Sequence, residues 1–400
     1  MSPHAFLPRL ADLAVTLGAN VQPGQVLTVA ADHGQYELAR AIAESGYRHG
    51  AVFVDVQYFD PYVKRARIAH AAEGTLGFVP SWYGQRILSL VEERAARITL
   101  AGPTAPGLMD DLDPERAGRD LLPTVREIRE VVEQRRVNWT VVPGPTMPWA
   151  TLVYPGLAPD EALERLWAEV GHVCRLDEPD PPAAWRERTD ALAAVAARIN
   201  ARRFDALRFK GPGTDLVVGL LPTSTFHAVR DRTDRGIEFL SNIPTEEVYA
   251  TPDPERTEGR VRSTRPLVLG DGTVIRGLAV RFERGRAVEI DADEGGGVLR
   301  GRAAVDEGAS RLGEVALVDR EGRIGRLGTV FYDTLLDENG AGHIALGEGG
   351  DEGLSEDDRP RRNRSAIHID FMIGGADVDV TGVTLAGERV PVLRGGTWQI

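Results

Sequence analysis

The sequence has a single cysteine, Cys174, in 400 residues. One thiol can form neither an internal disulfide nor a thiolate zinc site. Lysine is nearly missing as well: only Lys64 and Lys210 occur, and positive charge rests on arginine. Basic residues number 47 against 60 acidic ones, a formal net charge of −13. That balance works against nucleic-acid binding, which depends on neutralising phosphates, and against docking on an anionic membrane. No apolar run reaches the ~18–20 residues needed to span a bilayer. The opening MSPHAFLPRLADLAV lacks the basic start and apolar core of a secretory signal. The expected location is the cytoplasm, where the N-x-[ST] triplets at Asn138 and Asn363 are chance matches. Also missing are a G-x-S-x-G elbow, a Walker A loop and an H-E-x-x-H helix.

What is present is an ordinary globular composition, 42% hydrophobic and 27% charged, which excludes a fibrous or wholly disordered chain. The length implies two or three domains, because single cores stop growing near ~250–300 residues. The first part alternates strand and helix patterns. QVLTVAA from Gln25 and AVFVDVQYFD from Ala51 read as strands. Between them Leu38, Ile42 and Tyr47 space out as one helical face, ending at Gly50. SWYGQRILSLVEERA and PTVREIREVVEQRR read as helices, RITLAGP and RVNWTVVPGP as strands. Such alternation predicts a mainly parallel sheet with helices on both faces.

After the proline-rich LDEPDPPAAW and a long helix from Trp185, the pattern changes. ALRFKGPGTDLVVGL reads as a hairpin, and its GPGTDL is a turn rather than a phosphate-binding loop. GTVIRGLAVRFERGRAVEIDADE reads as a meander, and VDEGASRLGEVAL from Val305 as the best helix candidate of this half. EGGDEGLSEDDRPRRNR from Glu348 reads as a mobile loop. The expectation is an N-terminal α/β domain over residues 1–185. A β-rich α+β domain over residues 186–400 follows and carries the chemistry.

Of the eight histidines, His4, His33, His49, His70, His172 and His227 lie in no ligand pattern. His368 and Asp370, two apart in NRSAIHIDFMIGG, share one face of a strand. An imidazole and a carboxylate so placed make half of a divalent-metal site, or else a surface ion pair. His343, in DENGAGHIALG, reads on its own as a core histidine. Glu246 and Glu247 open a strand-like stretch and must face opposite ways. Glu314, in RLGEVALVD, sits among apolar residues, where a carboxylate needs an arginine partner or a metal.

Together the stretches GPGTDLVVGL, NIPTEEVYATP, RLGEVALV, FYDTLLDENGAGHIALG and NRSAIHIDFMIGG resemble the aminopeptidase T / aminopeptidase S (PepS) family of metallo-aminopeptidases. They occur in that family's order, and NWTVVPGPTMPWA extends the resemblance to the first half. The resemblance implies two divalent metals per chain, Zn or Co, with Mg or Mn as alternatives. The ligands it implies are Glu247, Glu314, His343, His368 and Asp370. Glu247 is preferred to Glu246 because RPLVLGDGTVI is one residue longer than is usual. Glu246 then either supports the ligands from behind or carries protons, and Glu314 is a ligand that also takes part in catalysis. Peptides with a free N-terminus are the implied substrates, and a homodimer the implied assembly. Where the family carries a tyrosine seven residues after the histidine of HIALG, this chain has Gly350, with Tyr332 and Tyr249 near the ligand motifs. Two other readings compete. One is a ring-cleaving dioxygenase with a single iron, and the other a non-catalytic, metal-stabilised binding protein.

Overall fold

The computed structural model describes residues 3–228, 230–270 and 272–400. The first half is built on a parallel sheet of β1 (Val26–Asp32), β2 (Phe53–Phe59), β3 (Ala96–Ala101) and β4 (Asn138–Pro143). Its spatial order is β2-β1-β3-β4. Leu27, Val29, Ile98 and Val142 are fully buried under the flanking helices. Helix Tyr36–Arg48 lays Leu38, Ala39, Ile42, Ser45 and Gly46 on the sheet. Gly46 permits the contact, since a Cβ there would lie 2.7 Å from Leu27 Cδ2. Tyr47, expected on that buried face, is exposed, and its hydroxyl accepts from the Val54 amide. One residue after Gly46, it has rotated off the contact stripe.

The long helix covers Pro181–Arg202, capped by the Asp180 side chain, which accepts from the Ala183 amide. The division expected after residue 185 therefore falls inside one continuous helix. Beyond it, Phe204–Gly211 and Thr214–Leu220 form the expected hairpin at the centre of an eight-stranded sheet. Gly213 takes a left-handed φ of +72° at its turn. A second, five-stranded antiparallel sheet has the order His368–Met372, His343–Gly347, Leu312–Val318, Glu247–Ala250, His227–Ala228. The eight-stranded sheet packs on one of its faces through Val248, Val315, Leu317, Ile344, Leu346 and Phe371.

Two expectations are corrected here. VDEGASRLGEVAL is not a helix but a 3-10 turn, Gly308–Ser310, leading into strand Leu312–Val318. That strand is covered on both sides, so its apolar run lacks the period that separates strand from helix. The segment from Glu348 is not loose but pinned. Asp358 accepts from the amide and hydroxyl of Thr223 at 3.0 and 2.7 Å, and Arg361 meets Asp253 at 3.2 Å. Arg135 holds Asp351 and Glu352.

The two halves share a core. Leu240, Ile243, Ile324, Phe331 and Leu336 pack into the cluster under the parallel sheet, beside Trp149 and Trp185. Residues 241–243 also extend that sheet. Val141 donates to Ser241 O and Ile243 to Val141 O, in parallel register along β4. The chain then enters the Glu247 strand of the other sheet. No helix among the described residues is long and apolar enough to cross a membrane. Asn138 and Asn363, the two triplet asparagines, are buried and hydrogen-bonded.

Asn363 Nδ2 donates to Gly308 O at 2.8 Å and to Gly347 O at 2.6 Å, tying the pinned loop to the five-stranded sheet. Asn363→Ala leaves buried carbonyls without a donor and should cost about 1–3 kcal/mol. A urea-unfolding midpoint equal to that of the parent would contradict this.

Candidate metal centre

The five-stranded sheet buries one face in the core and turns the other toward the first half. Side chains alternate along a strand, so the register decides which residues share that second face. Glu247 pairs with Val318, Tyr249 with Ala316, Ala316 with His343, Ala345 with both Glu314 and Asp370, and Gly347 with His368. Glu247, Glu314, His343, His368 and Asp370 thus project from four adjacent strands onto one surface. The residues between them, Ala316, Ala345 and Gly347, are small and leave space above the sheet.

His343 Nε2 lies 3.2 Å from Glu247 Oε2, 3.5 Å from Glu314 Oε1 and 3.9 Å from Asp370 Oδ1. His368 Nε2 lies 3.3 Å from Asp370 Oδ2 and 3.7 Å from Glu314 Oε2. Glu314 therefore stands between the two imidazoles with one oxygen toward each. Both rings are oriented from behind. His368 Nδ1 meets Glu348 O at 2.8 Å, and His343 Nδ1 faces Glu338 O and Ala341 O at 3.2 and 3.3 Å. A carbonyl can only accept, so Nδ1 carries a proton, and Nε2 faces the carboxylates, donating a proton to them or turning its lone pair to a cation held among them. This is the arrangement that prepares a histidine to bind metal.

A sixth group joins them. Glu338 ends helix Thr334–Glu338, whose first turn is capped by the Asp333 side chain. Three triads, Glu247–Glu314–His343, Glu314–His368–Asp370 and Glu338–His343–Asp370, have donor atoms within 4.8 Å of one another. Glu338 was missed because it lies on no strand of the sheet. A helical turn and the Asn-Gly-Ala-Gly run after it fold it back over His343. The signal available was an acid at the end of the apolar TLLDE, five residues before His343.

Burial pushes the Glu247 and Glu338 carboxyls up, and the charges of their acidic neighbours, Asp370 among them, add to this. Burial alone would push His343 down, but the Glu247 and Glu314 carboxylates facing it outweigh that and raise it well above the usual imidazole range. The buried Glu247 Oε2 accepts no well-formed hydrogen bond among the described residues. Four carboxylates and two imidazoles sharing so small a space are a donor set for divalent cations of borderline or hard character.

The cluster forms one wall of a cavity of about 360 Å³. Ile128, Val132, Arg135 and Trp139 of the first half form another wall, and Tyr249, Gly350 and Glu352 complete it. Burial pushes the Glu352 carboxyl up to about 7, against the lowering effect of Arg135. Tyr332 does not reach this cavity. It lines a separate groove, where its hydroxyl accepts from Arg276 at 3.2 Å.

Glu246 is also turned away. Its fully buried carboxylate is held by Arg175 at 2.8 Å and Arg188 at 2.5 Å, on the side of the chain opposite Glu247. Its amide donates to Asn339 Oδ1, and the Asn339 side chain also touches Glu338. Glu246 thus anchors the start of the Glu247 strand to the helices of the first half, and the geometry gives it no proton to carry.

The two neighbouring glutamates should therefore fail differently. Glu247→Gln should lower bound metal, because an amide oxygen is a weaker ligand than a carboxylate. Glu246→Gln leaves two buried guanidinium groups without their anion and should cost on the order of 3–5 kcal/mol. Metal content of its folded fraction should stay near that of the parent. Elemental analysis with thermal unfolding separates the two, and metal loss in the Glu246 variant alone would reverse the assignment.

Comparison with known proteins identifies the family. The family described as "Thermophilic metalloprotease (M29)" matches residues 4–398. Aminopeptidase T of Thermus thermophilus is 42% identical over 403 residues, with 98% of each chain covered. Aminopeptidase PepS of Streptococcus thermophilus is 35% identical over 406 residues, again with 98% of each covered. The structure of wild-type AmpT from Thermus thermophilus superposes with a TM-score of 0.86 at 41% identity, over 99% of this chain and 100% of that one. These are the relatives that the order of the motifs led one to expect, and the dioxygenase and binding-protein readings find no support among them. The chain belongs to the M29 metalloprotease family and is a metallo-aminopeptidase.

Proposed function

We propose that the enzyme removes N-terminal residues from peptides with two divalent ions held by Glu247, Glu314, Glu338, His343, His368 and Asp370. The observation that carries this is the Glu314 carboxylate, with Oε1 toward His343 at 3.5 Å and Oε2 toward His368 at 3.7 Å. One acid spanning two imidazoles divides the donors into two neighbouring groups. Glu247, Glu338 and His343 would hold the first ion and His368 and Asp370 the second, with Glu314 standing between the two groups and Asp370 also near Glu338 and His343. Zn or Co suits such mixed nitrogen and oxygen donors, and Mn or Mg suits the acid-rich side. When bound, the ions supply Lewis acidity, lowering the pKa of water and polarising the scissile carbonyl.

The remaining work falls to the chain. Glu314, at 19% the most exposed of the three carboxylates that face His343, is placed to accept a proton from the attacking water. It can return that proton to the departing amine. Asp231 and Glu352 add acid to the cavity and favour a free α-ammonium. Ile128, Val132 and Trp139 give the first side chain an apolar wall. A homodimer is supported by exposed Phe53 and Tyr58 on edge strand β2 and by Tyr62 and Val63 beside it, since an open apolar edge favours pairing.

Loaded with Zn or Co, the protein should hydrolyse leucyl and other aminoacyl chromogenic amides and leave their N-acetylated forms intact. Elemental analysis should give two metals per chain. His368→Ala or Asp370→Ala should lose metal and nearly all activity. Full activity at one metal per chain would refute the dinuclear reading, and cleavage of the acetylated amide would refute exopeptidase action.

A further inference from the structure

We infer that Tyr249 is a catalytic residue whose phenol donates a hydrogen bond to the oxygen of the scissile carbonyl as negative charge develops there. This rests on the hydrolytic reading above. Tyr249 stands two residues after Glu247 on the face that carries the donors, and it lines the cavity with Glu247, Glu314 and His343. The register runs from Tyr249 to Ala316 to His343. Two strand spacings, about 10 Å, separate the outer backbones. Only the methyl of Ala316 stands between them, so nothing on the sheet keeps the ring from leaning over the cluster.

The hydroxyl forms no hydrogen bond among the described residues, whereas the Tyr47 and Tyr332 hydroxyls each accept one. The residue is half-buried and its hydroxyl opens on the cavity, where it is free to donate to a group that enters. Several other donors near it are engaged, while the Trp139 indole N–H, on another wall of the cavity, has no partner among the described residues. Thr251 Oγ1 donates to Gly350 O at 2.9 Å, Ser241 donates to Asp231, and Arg135 is held by Asp351 and Glu352. Among the described residues the loop side of the cavity, with Glu348, Gly350 and Glu352, supplies no hydroxyl. A Cβ at Gly350 would lie 2.3 Å from Glu352 Oε2, and Arg135 fixes that carboxylate. Tyr249 is thus the one phenol lining the cavity among the described residues, and it approaches from the strand rather than the loop.

A tyrosine hydroxyl is an O–H donor at neutral pH. As water adds to the carbonyl carbon, the π pair moves onto oxygen, and Tyr249 O–H donates to that oxygen without transferring its proton. When the C–N bond breaks, the pair returns to form the new carboxyl. Such a donor acts mainly in the transition state, so its loss appears in kcat rather than in KM.

The test is Tyr249→Phe in the metal-loaded protein, with Tyr332→Phe as control. The expected result is a fall in kcat by about 10²–10³ with KM changed little. Metal stoichiometry and thermal midpoint should match the parent, and Tyr332→Phe should turn over normally. Binding of an aminoalkyl phosphonate, which mimics the tetrahedral state, should weaken by a comparable factor in calorimetry, while binding of free leucine stays the same. Unchanged kcat, equal weakening of phosphonate and leucine, or a fall that follows metal loss would each overturn the inference. A parent that binds the phosphonate but hydrolyses no aminoacyl amide would sink the hydrolytic reading instead, and the calorimetric comparison would still report on Tyr249.

Discussion

Four carboxylates crowded around two imidazoles on a half-enclosed face set the terms for the rest of this structure. Charge packed at that density, away from bulk water, is stable only with protons or cations among it. The opposite side of the same sheet is a dense apolar core, so the strands that carry the acids cannot splay to relieve the repulsion. Small residues at Ala316, Ala345 and Gly347 leave room for ions. Backbone carbonyls of Glu338, Ala341 and Glu348 settle which imidazole nitrogen faces them. The site is therefore built before any ion arrives, and metal binding completes an arrangement that the fold already enforces.

Among the described residues the first half contributes no donor to the cluster, yet the site depends on it. Residues 241–243 are stitched to β4 immediately before the chain delivers Glu247. Glu246, one residue earlier, is locked between Arg175 and Arg188 of the same half. Trp149 donates its indole N–H to Phe331 O, just ahead of the helix that ends in Glu338. Arg135 reaches across to hold Asp351 and Glu352 over the cavity. The acids belong to one half and the walls to the other, so a small pocket beside the ions follows from how the halves meet. An enclosed pocket of that kind suits removal of a terminal residue better than cutting within a chain.

Much of this was legible in the residues. The four parallel strands, the hairpin at Pro212–Gly213 and five of the six donors appear in the sequence with their neighbours. The preference for Glu247 over Glu246 rested on a loop one residue longer, and strand parity in the folded chain puts only Glu247 on the cavity face. Other features were not legible, for identifiable reasons. Glu338 lies on a short helix outside the sheet, where period two does not apply. The Val305 segment ends in a strand buried on both faces, which has no periodic signature. The charged loop after Glu348 looks unstructured in isolation because its partners, Thr223, Asp253 and Arg135, lie far away in the chain.

The sequence by itself determined which chemistry was possible. Acid and imidazole side chains at two-residue spacing on apolar strands left a metal site and an ion pair both open, and only the ordered set of motifs singled out metal. It could not determine whether Tyr249 or Tyr332 faces the cluster, nor that Glu246 would serve as an anchor. Those outcomes depend on which strands become neighbours and in what register, and a register is set by contacts between residues far apart in the chain. Only the tertiary structure places Ala316 between Tyr249 and His343, turns Tyr332 into another groove, and brings two arginines to Glu246.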